Sequence, residues 1–304
     1  MIYVSLFIEG VLEMKIGFIG AGKVGCSFGL FLKKREFQIV GYASQSMESA
    51  SYAANLTDSS ALSFNELIKQ SNYIFITTPD DRIEDVWNHM LDFDLRDKKV
   101  FHMSGCLSSS IFTNSGENGV LGYSLHPLYS FADKKSSDLG EVVFSIEGDH
   151  ISGIHAFLDQ SNIRYFVLDK KKKALYHAAA VFVSNYVVAL AKIGEDLLLE
   201  SGLDKELSIV GTLPLMESAL FNMKKKGINH ALTGPIIRGD LNTIQKHIEE
   251  LPTYKEIYKR LGLVALQIGS ETGDLSDKKT EEIYQILRSD CNEKDGSDIS
   301  GNER

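Results

Sequence analysis

The residues in this chain best suited to chemistry begin with six in a row, Gly20-Ala21-Gly22-Lys23-Val24-Gly25. A GxGxxG run binds a dinucleotide when it follows a strand and opens a helix. Here the apolar run Ile16–Ile19 precedes it and helical sequence follows from Lys23. In that setting Gly20 permits the tight turn, Gly22 lets backbone approach a pyrophosphate, and Gly25 lets helix and strand pack closely. The helix N-terminus adds partial positive charge. Gly17 to Lys23 also spells the start of a Walker A loop, GxxxxGK, but Val24 stands where magnesium needs Ser or Thr. Nucleotide triphosphate hydrolysis is therefore not expected.

The second strand runs into Ser44-Gln45-Ser46, and no acid occurs before Glu48. A carboxylate at that place would bind the ribose 2′-hydroxyl of NAD and repel a 2′-phosphate. Its absence favours NADP over NAD, with Ser44, Gln45 and Ser46 as hydrogen-bonding partners of the phosphate. Thr78 and Pro79 follow a buried strand and should line the same cleft, with Asp80 or Asp81 capping the next helix. Ser104, after another strand, can hydrogen-bond a carbonyl or hydroxyl, while Cys106 reads as a buried, inert thiol. His126 follows a further strand end and can exchange the proton that accompanies hydride transfer. His177, Val181, Ser184, Asn185 and Val188 share one face of a long helix. His177 is thus a second candidate proton donor, and Asn185, with Ser104, a substrate-orienting group. Arg238 is a fixed cation suited to an anionic substrate. Arg238-Gly239-Asp240 spells an adhesion tripeptide by chance.

These points require elements to hold them. Strands are expected at Lys15–Ile19, Gln38–Ala43, Tyr73–Thr77, Lys99–Met103, Val120–Ser124, Val142–Ile146 and Arg164–Leu168, with helices between the earlier ones. Such alternation predicts a mostly parallel, doubly wound α/β sheet. After Asp169 the pattern turns helical. Helices are expected over Lys171–Ser201, Lys205–Lys226, Asp240–Glu249 and Thr253–Thr272, with Lys170–Lys173 a solvated start and Gly202 and Gly227 near C-caps. The organisation is a dinucleotide-binding domain over 14–168 and a helical domain over 169–288. An extension, 1–13, and a polar tail, 289–304, flank them. Met14 looks like the natural start.

The whole composition limits what else the chain can be. Its 304 residues are 43% hydrophobic and 24% charged, as in an ordinary globular protein, and the net charge is −9. That balance argues against nucleic acid or an anionic membrane as partner. Cys26, Cys106 and Cys291 show no metal-ligand spacing and fit free thiols in the cytoplasm. The uncharged apolar run Ala178–Ala191 is short for a membrane crossing and reads as a buried core helix.

Taken together, the glycine loop, Ser104-Gly105, His126-Pro127-Leu128, Tyr176-His177-Ala178-Ala179, Ser184-Asn185-Tyr186 and Thr233-Gly234-Pro235-Ile236 with Arg238-Gly239-Asp240 resemble one family. It comprises Rossmann-like proteins with a C-terminal helical domain of unknown function, numbered 2520. More distantly the chain is similar to 6-phosphogluconate-dehydrogenase-like reductases: pyrroline-5-carboxylate reductase, ketopantoate reductase and prephenate dehydrogenase. His126-Pro127 looks like the His-Pro pair of the last. His177 and Asn185 resemble the helix of ketopantoate reductase, with His in place of its Lys and Val181 at its middle Asn. The resemblance implies an all-α, 6-phosphogluconate-dehydrogenase-like C-terminal domain that forms a homodimer. The expected activity is hydride transfer between NADP and a small, anionic carbonyl or imine compound, with no metal. A non-catalytic NADP-binding sensor would share the same cofactor loop.

Overall fold

The computed structural model describes residues 13–148 and 150–289. All but the last residue of the expected extension, all but the first residue of the tail, and Cys291 lie outside the described residues. Eight strands form one sheet: β1 (Lys15–Ile19), β2 (Gln38–Ala43), β3 (Ser60–Ala61), β4 (Tyr73–Ile76), β5 (Lys99–His102), β6 (Leu121–Pro127), β7 (Val143–Gly148) and β8 (Arg164–Val167). Their order is β3-β2-β1-β4-β5-β6-β7-β8. Every neighbouring pair is parallel except β6 with β7. The strand order reverses between β1 and β4, and that reversal opens the crevice where ligands of such sheets bind.

The first compact unit ends at Asn185. Its helices are α1 (Lys23–Lys33), α2 (Met47–Thr57), α3 (Phe64–Gln70), α4 (Asp80–Met90), α5 (His155–Ser161) and α6 (Lys173–Val183). Two apolar clusters cover the two faces of the sheet. Phe18, Phe28, Phe75, Phe101 and Phe144 anchor one, and Ile74, Ile76, Trp87 and Val100 the other. That is why β4, Tyr-Ile-Phe-Ile, carries no polar alternation: all four residues are buried. Two short helices, α2 and α5, and the two-residue strand β3 were not legible in the sequence.

The structure revises three expectations here. The strand carrying His126 does not end at Ser124. It continues to Pro127, because β7 pairs with it antiparallel and sets His126 opposite Ser145. The long helix over Lys171–Ser201 is broken at Ser184 (φ −128°, ψ −75°) into α6 and α7 (Asn185–Glu200). Ser184 Oγ donates to Ala180 O at 2.7 Å, the back-bonding that bends helices at serine. The apolar run within these helices is not a buried core: the helical stretch 170–200 is long and apolar enough by composition to cross a membrane, and none of its apolar window is buried.

The second unit begins at Tyr186. It holds α7, α8 (Lys205–Lys226), α9 (Leu241–Glu250), α10 (Lys255–Glu271) and α11 (Asp277–Arg288). Ile244, Ile248, Leu266, Ile283 and Leu287 form its small core. Asp240 caps α9 by accepting from Thr243 N at 3.1 Å. Gly227 ends α8 with φ +80°. Along α7 and α8, Val188, Val210, Leu215 and Phe221 stand exposed.

Candidate active site

The turn from β1 to α1 is built around two glycines with opposite constraints. Gly20 has φ +111°, and a Cβ there would lie 2.8 Å from the carbonyl carbon and oxygen of Thr77. No other residue fits. Gly22, the N-cap of α1, faces open space: the nearest atom to an added Cβ is Thr77 O at 4.0 Å. It offers no side chain to the first-turn N–H groups, so they remain available to an anion. Gly25 packs instead against Thr77, the residue after β4, where a Cβ would meet Thr77 Oγ1 at 2.5 Å.

A cavity of about 850 Å³ opens beyond these strand ends, lined by Gly20, Ala21, Gly22, Ser44, Gln45, Thr78 and Pro79 among others. Lys23, Val24, Gly25 and Ser46 do not line it. Lys23 is exposed, and Ser46 caps α2 by accepting from Ser49 N. Thr78 Oγ1 is buried in this cleft without a hydrogen-bond partner. An orphaned hydroxyl of that kind costs about 1–3 kcal/mol unless a ligand meets it. The open cradle at Gly22 and the unpaired Thr78 hydroxyl both fit a bound dinucleotide.

Pro79 leads directly into a second group of polar residues. Asp80, in the first turn of α4 rather than at its cap, accepts from Ser104 Oγ at 2.6 Å. Ser104 Oγ in turn accepts from the N–H groups of Cys106 and Leu107 at 3.1 and 3.0 Å. The hydroxyl is thereby fully used, its donor on Asp80 and its lone pairs on the loop. Cys106 is exposed, contrary to the buried thiol expected, because this loop turns it outward.

The residue that sequence reasoning passed over is Lys173. Read as part of a solvated lysine run, it is 2% exposed, and its Nζ donates to Ser124 Oγ at 2.6 Å. Burial lowers its pKa to about 8, against the attraction of Glu147, Asp80 and Cys106. Glu147 sits opposite Ser124 across the β6–β7 pair and is itself buried. It accepts from Ser109 N and Oγ at 2.6 and 2.7 Å. A usable signal existed: Lys173 lies three and four residues before Tyr176 and His177, on one helix face.

That face meets His126. Its Nδ1 lies 2.7 Å from Tyr176 Oη, and its ring stands edge-on to His177 with centroids 6.0 Å apart. A Cβ on Gly105 would fall 2.3 Å from His177 Nδ1 and 2.9 Å from His126 Nε2. Only glycine lets the two imidazoles converge there. Burial, with the charge of Lys173 and the neighbouring His177 and His102, pushes the His126 pKa down to about 3. His126 is therefore a neutral imidazole near pH 7. His102, buried one strand away, is likewise held at about 3, by burial and Lys173.

The structure thus gathers Ser104, His126 and His177 of the expected residues around Lys173, all in the first unit. Asn185 is exposed at the start of α7, with its side-chain amide 2.8 Å from Ser184 Oγ. Arg238 lies in the second unit, in the turn before α9, where the Thr243 hydrogen bonds and, to a lesser degree, the Arg238 charge favour the ionised form of Asp240. Among the described residues no group of His, Cys, Asp and Glu could hold a metal ion.

Comparison with known proteins divides the chain in two. A Rossmann-like domain matches residues 10–127, and the domain of unknown function DUF2520 matches 142–265. The chain carries both. No curated protein matches it significantly. Among solved structures, a protein from Thermotoga maritima is 29% identical, with a TM-score of 0.68, covering 85% of this chain and 99% of that one. A protein from Bacteroides fragilis named as a candidate NADP oxidoreductase is 21% identical, covering 83% and 98%, with a TM-score of 0.66. The pyrroline carboxylate reductase of Plasmodium falciparum, solved with NADP bound, is 14% identical, covering 91% and 100%, with a TM-score of 0.53. At their identities the last two show a common fold.

Proposed function

We propose that this chain, a Rossmann-like domain joined to a DUF2520 domain, is an NADP-dependent oxidoreductase acting on a small, anionic carbonyl or imine compound. The observation that carries the reading is the buried Lys173 ammonium, close enough to feel the charge of Asp80, which directly follows Pro79 of the glycine-lined cavity. The NADP chemistry named for the two structural relatives supports it. A bound nicotinamide supplies or accepts the hydride. The first turn of α1 and Gly22 would hold the pyrophosphate, and Thr78 Oγ1 would be a candidate hydrogen-bonding group toward the bound dinucleotide.

Lys173 Nζ is the proton donor to the oxygen or nitrogen of the reduced double bond, and it takes the proton back in the reverse direction. Ser124 orients the amine through the 2.6 Å hydrogen bond. Glu147 and Asp80 keep it protonated despite burial. His126 and His177, the donors first expected, act beside it: a neutral His126 hydrogen-bonds substrate and does not deliver a proton from an imidazolium. Ser104 braces the loop. The proposal uses no residue of the second unit. Calorimetric titration with NADPH tests the cofactor part, which a sensor would share, and no binding at millimolar dinucleotide overturns the reading; oxidation of NADPH by the chain separates the enzyme from a sensor.

The exposed apolar residues along α7 and α8 lead us to propose a second copy of this chain as their cover. Val188, Val210, Leu215 and Phe221 are each at least half exposed in the single chain. Exposed apolar side chains clustered on helices in this way mark interaction surfaces. The free thiols Cys26 and Cys106 fit a reducing cytoplasm.

A further inference from the structure

The end of β2 offers Ser44 and Gln45 but no cation, so the charge needed to hold a 2′-phosphate must come from elsewhere. Two basic side chains besides His89 line the cavity, Arg82 and Lys134. Arg82 is committed to carboxylates, at 3.4 Å from Asp85 and 4.0 Å from Asp81. Lys134 has no carboxylate partner among the described residues. Its Nζ stands 5.1 Å from the centre of the Tyr52 ring, on α2.

The loop that carries Lys134, between β6 and β7, is fixed onto α1. Ser27 Oγ donates to Asp133 O at 3.2 Å, and Lys34 Nζ donates to Ser137 Oγ at 2.7 Å. Asp133 Oδ1 accepts from Lys135 N at 2.6 Å, closing a tight turn around Lys134. Leu139 anchors the loop in the core with no exposed surface. The ammonium is close enough to the start of α1 to be felt by Cys26. It is thus held between α1, whose N-terminus faces the pyrophosphate, and α2, which begins at the Ser44–Ser46 turn.

We propose that Lys134 is the cation that recognises the 2′-phosphate of NADP, delivered from the β6–β7 loop rather than from the end of β2. The inference rests on the dinucleotide reading above and names its specificity-determining residue. Ser44 and Gln45 complete the phosphate site with hydrogen bonds. Tyr52 serves as the platform that keeps the lysine stem in place, since a cation over an aromatic face is held without neutralising its charge.

The test is calorimetric titration of the full chain, of Lys134→Gln, Lys134→Arg and Tyr52→Leu, each with NADPH and with NADH. A charge-assisted hydrogen bond predicts that Lys134→Gln weakens NADPH by about 10–100-fold and leaves NADH within about twofold. Lys134→Arg should retain NADPH, and Tyr52→Leu should fall between. Equal loss of both dinucleotides in Lys134→Gln would place Lys134 on the pyrophosphate and overturn the inference. Unchanged NADPH affinity would overturn it too. Failure of the wild-type chain to bind either dinucleotide would instead overturn the functional reading on which it rests.

Discussion

Replacing Lys173 with Met should make the protein more stable while removing its proton donor. Lys173 is 2% exposed, and burial takes its pKa from 10.5 to about 8. Because the folded value is depressed, the unfolded chain binds a proton more readily than the folded one between about pH 8 and 10.5. Stability therefore rises as pH climbs through that window, and below it the charged amine is a standing cost. At roughly 1.4 kcal/mol per pH unit that cost is about 3 kcal/mol. Met has similar volume and no charge. The hydrogen bond lost from Ser124 takes back about 1 kcal/mol, which leaves a net gain of about 2 kcal/mol at pH 7. Denaturant unfolding of wild type and Lys173→Met at pH 7 and pH 10 reads the difference directly. The advantage of the variant should be present at pH 7 and largely gone at pH 10. Its turnover should drop by about 10²–10⁴-fold with NADPH affinity kept. A variant less stable than wild type at pH 7, or an advantage that grows with pH, would refute the burial argument.

Other consequences follow from the same geometry. Gly22→Val should fold normally, since its Cβ has 4.0 Å of clearance, yet lose dinucleotide binding; Gly20→Val should fail in stability first, as thermal melting will show. His102 and His126 both hold folded pKa values near 3, so the unfolded chain takes up protons that the folded chain refuses as pH falls below about 6.5. Unfolding free energy should decline from there toward pH 3, and His102→Asn should make that decline shallower in an acid titration. Light scattering at micromolar concentration should give the mass of a dimer, and Leu215→Glu with Phe221→Glu should give a monomer; a wild-type monomer would remove the second copy as the cover of α7 and α8.

Much of the cofactor half was legible because its signals are local. The glycine loop, the buried β4 run and the strand–helix alternation each lie within a few consecutive residues. The polar cluster depends instead on which strands become neighbours. Lys173 meets Ser124 across 49 residues of sequence, and Glu147 meets Ser109 across 38. No local pattern distinguishes Lys173 from the three lysines before it, except its place on the face of Tyr176 and His177. His126 was legible as a residue at the end of a strand, but its partners Tyr176 and His177 and its charge state depend on tertiary packing, on burial and on Lys173. The break at Ser184 escaped notice because helical periodicity continues on both sides of it. Lys134 was invisible for the opposite reason: a loop residue acquires its place only when Asp133 and Ser137 dock on α1.

The most direct measurement is oxidation of NADPH by the wild-type chain and by Lys173→Met, against a panel of small anionic 2-oxo acids and cyclic imines. Wild type should consume NADPH with at least one of them, and Lys173→Met should do so more than about 100-fold more slowly at unchanged NADPH affinity. A wild-type chain that binds NADPH tightly and oxidises it with none of these compounds, or a Lys173→Met variant as fast as wild type, would contradict the account.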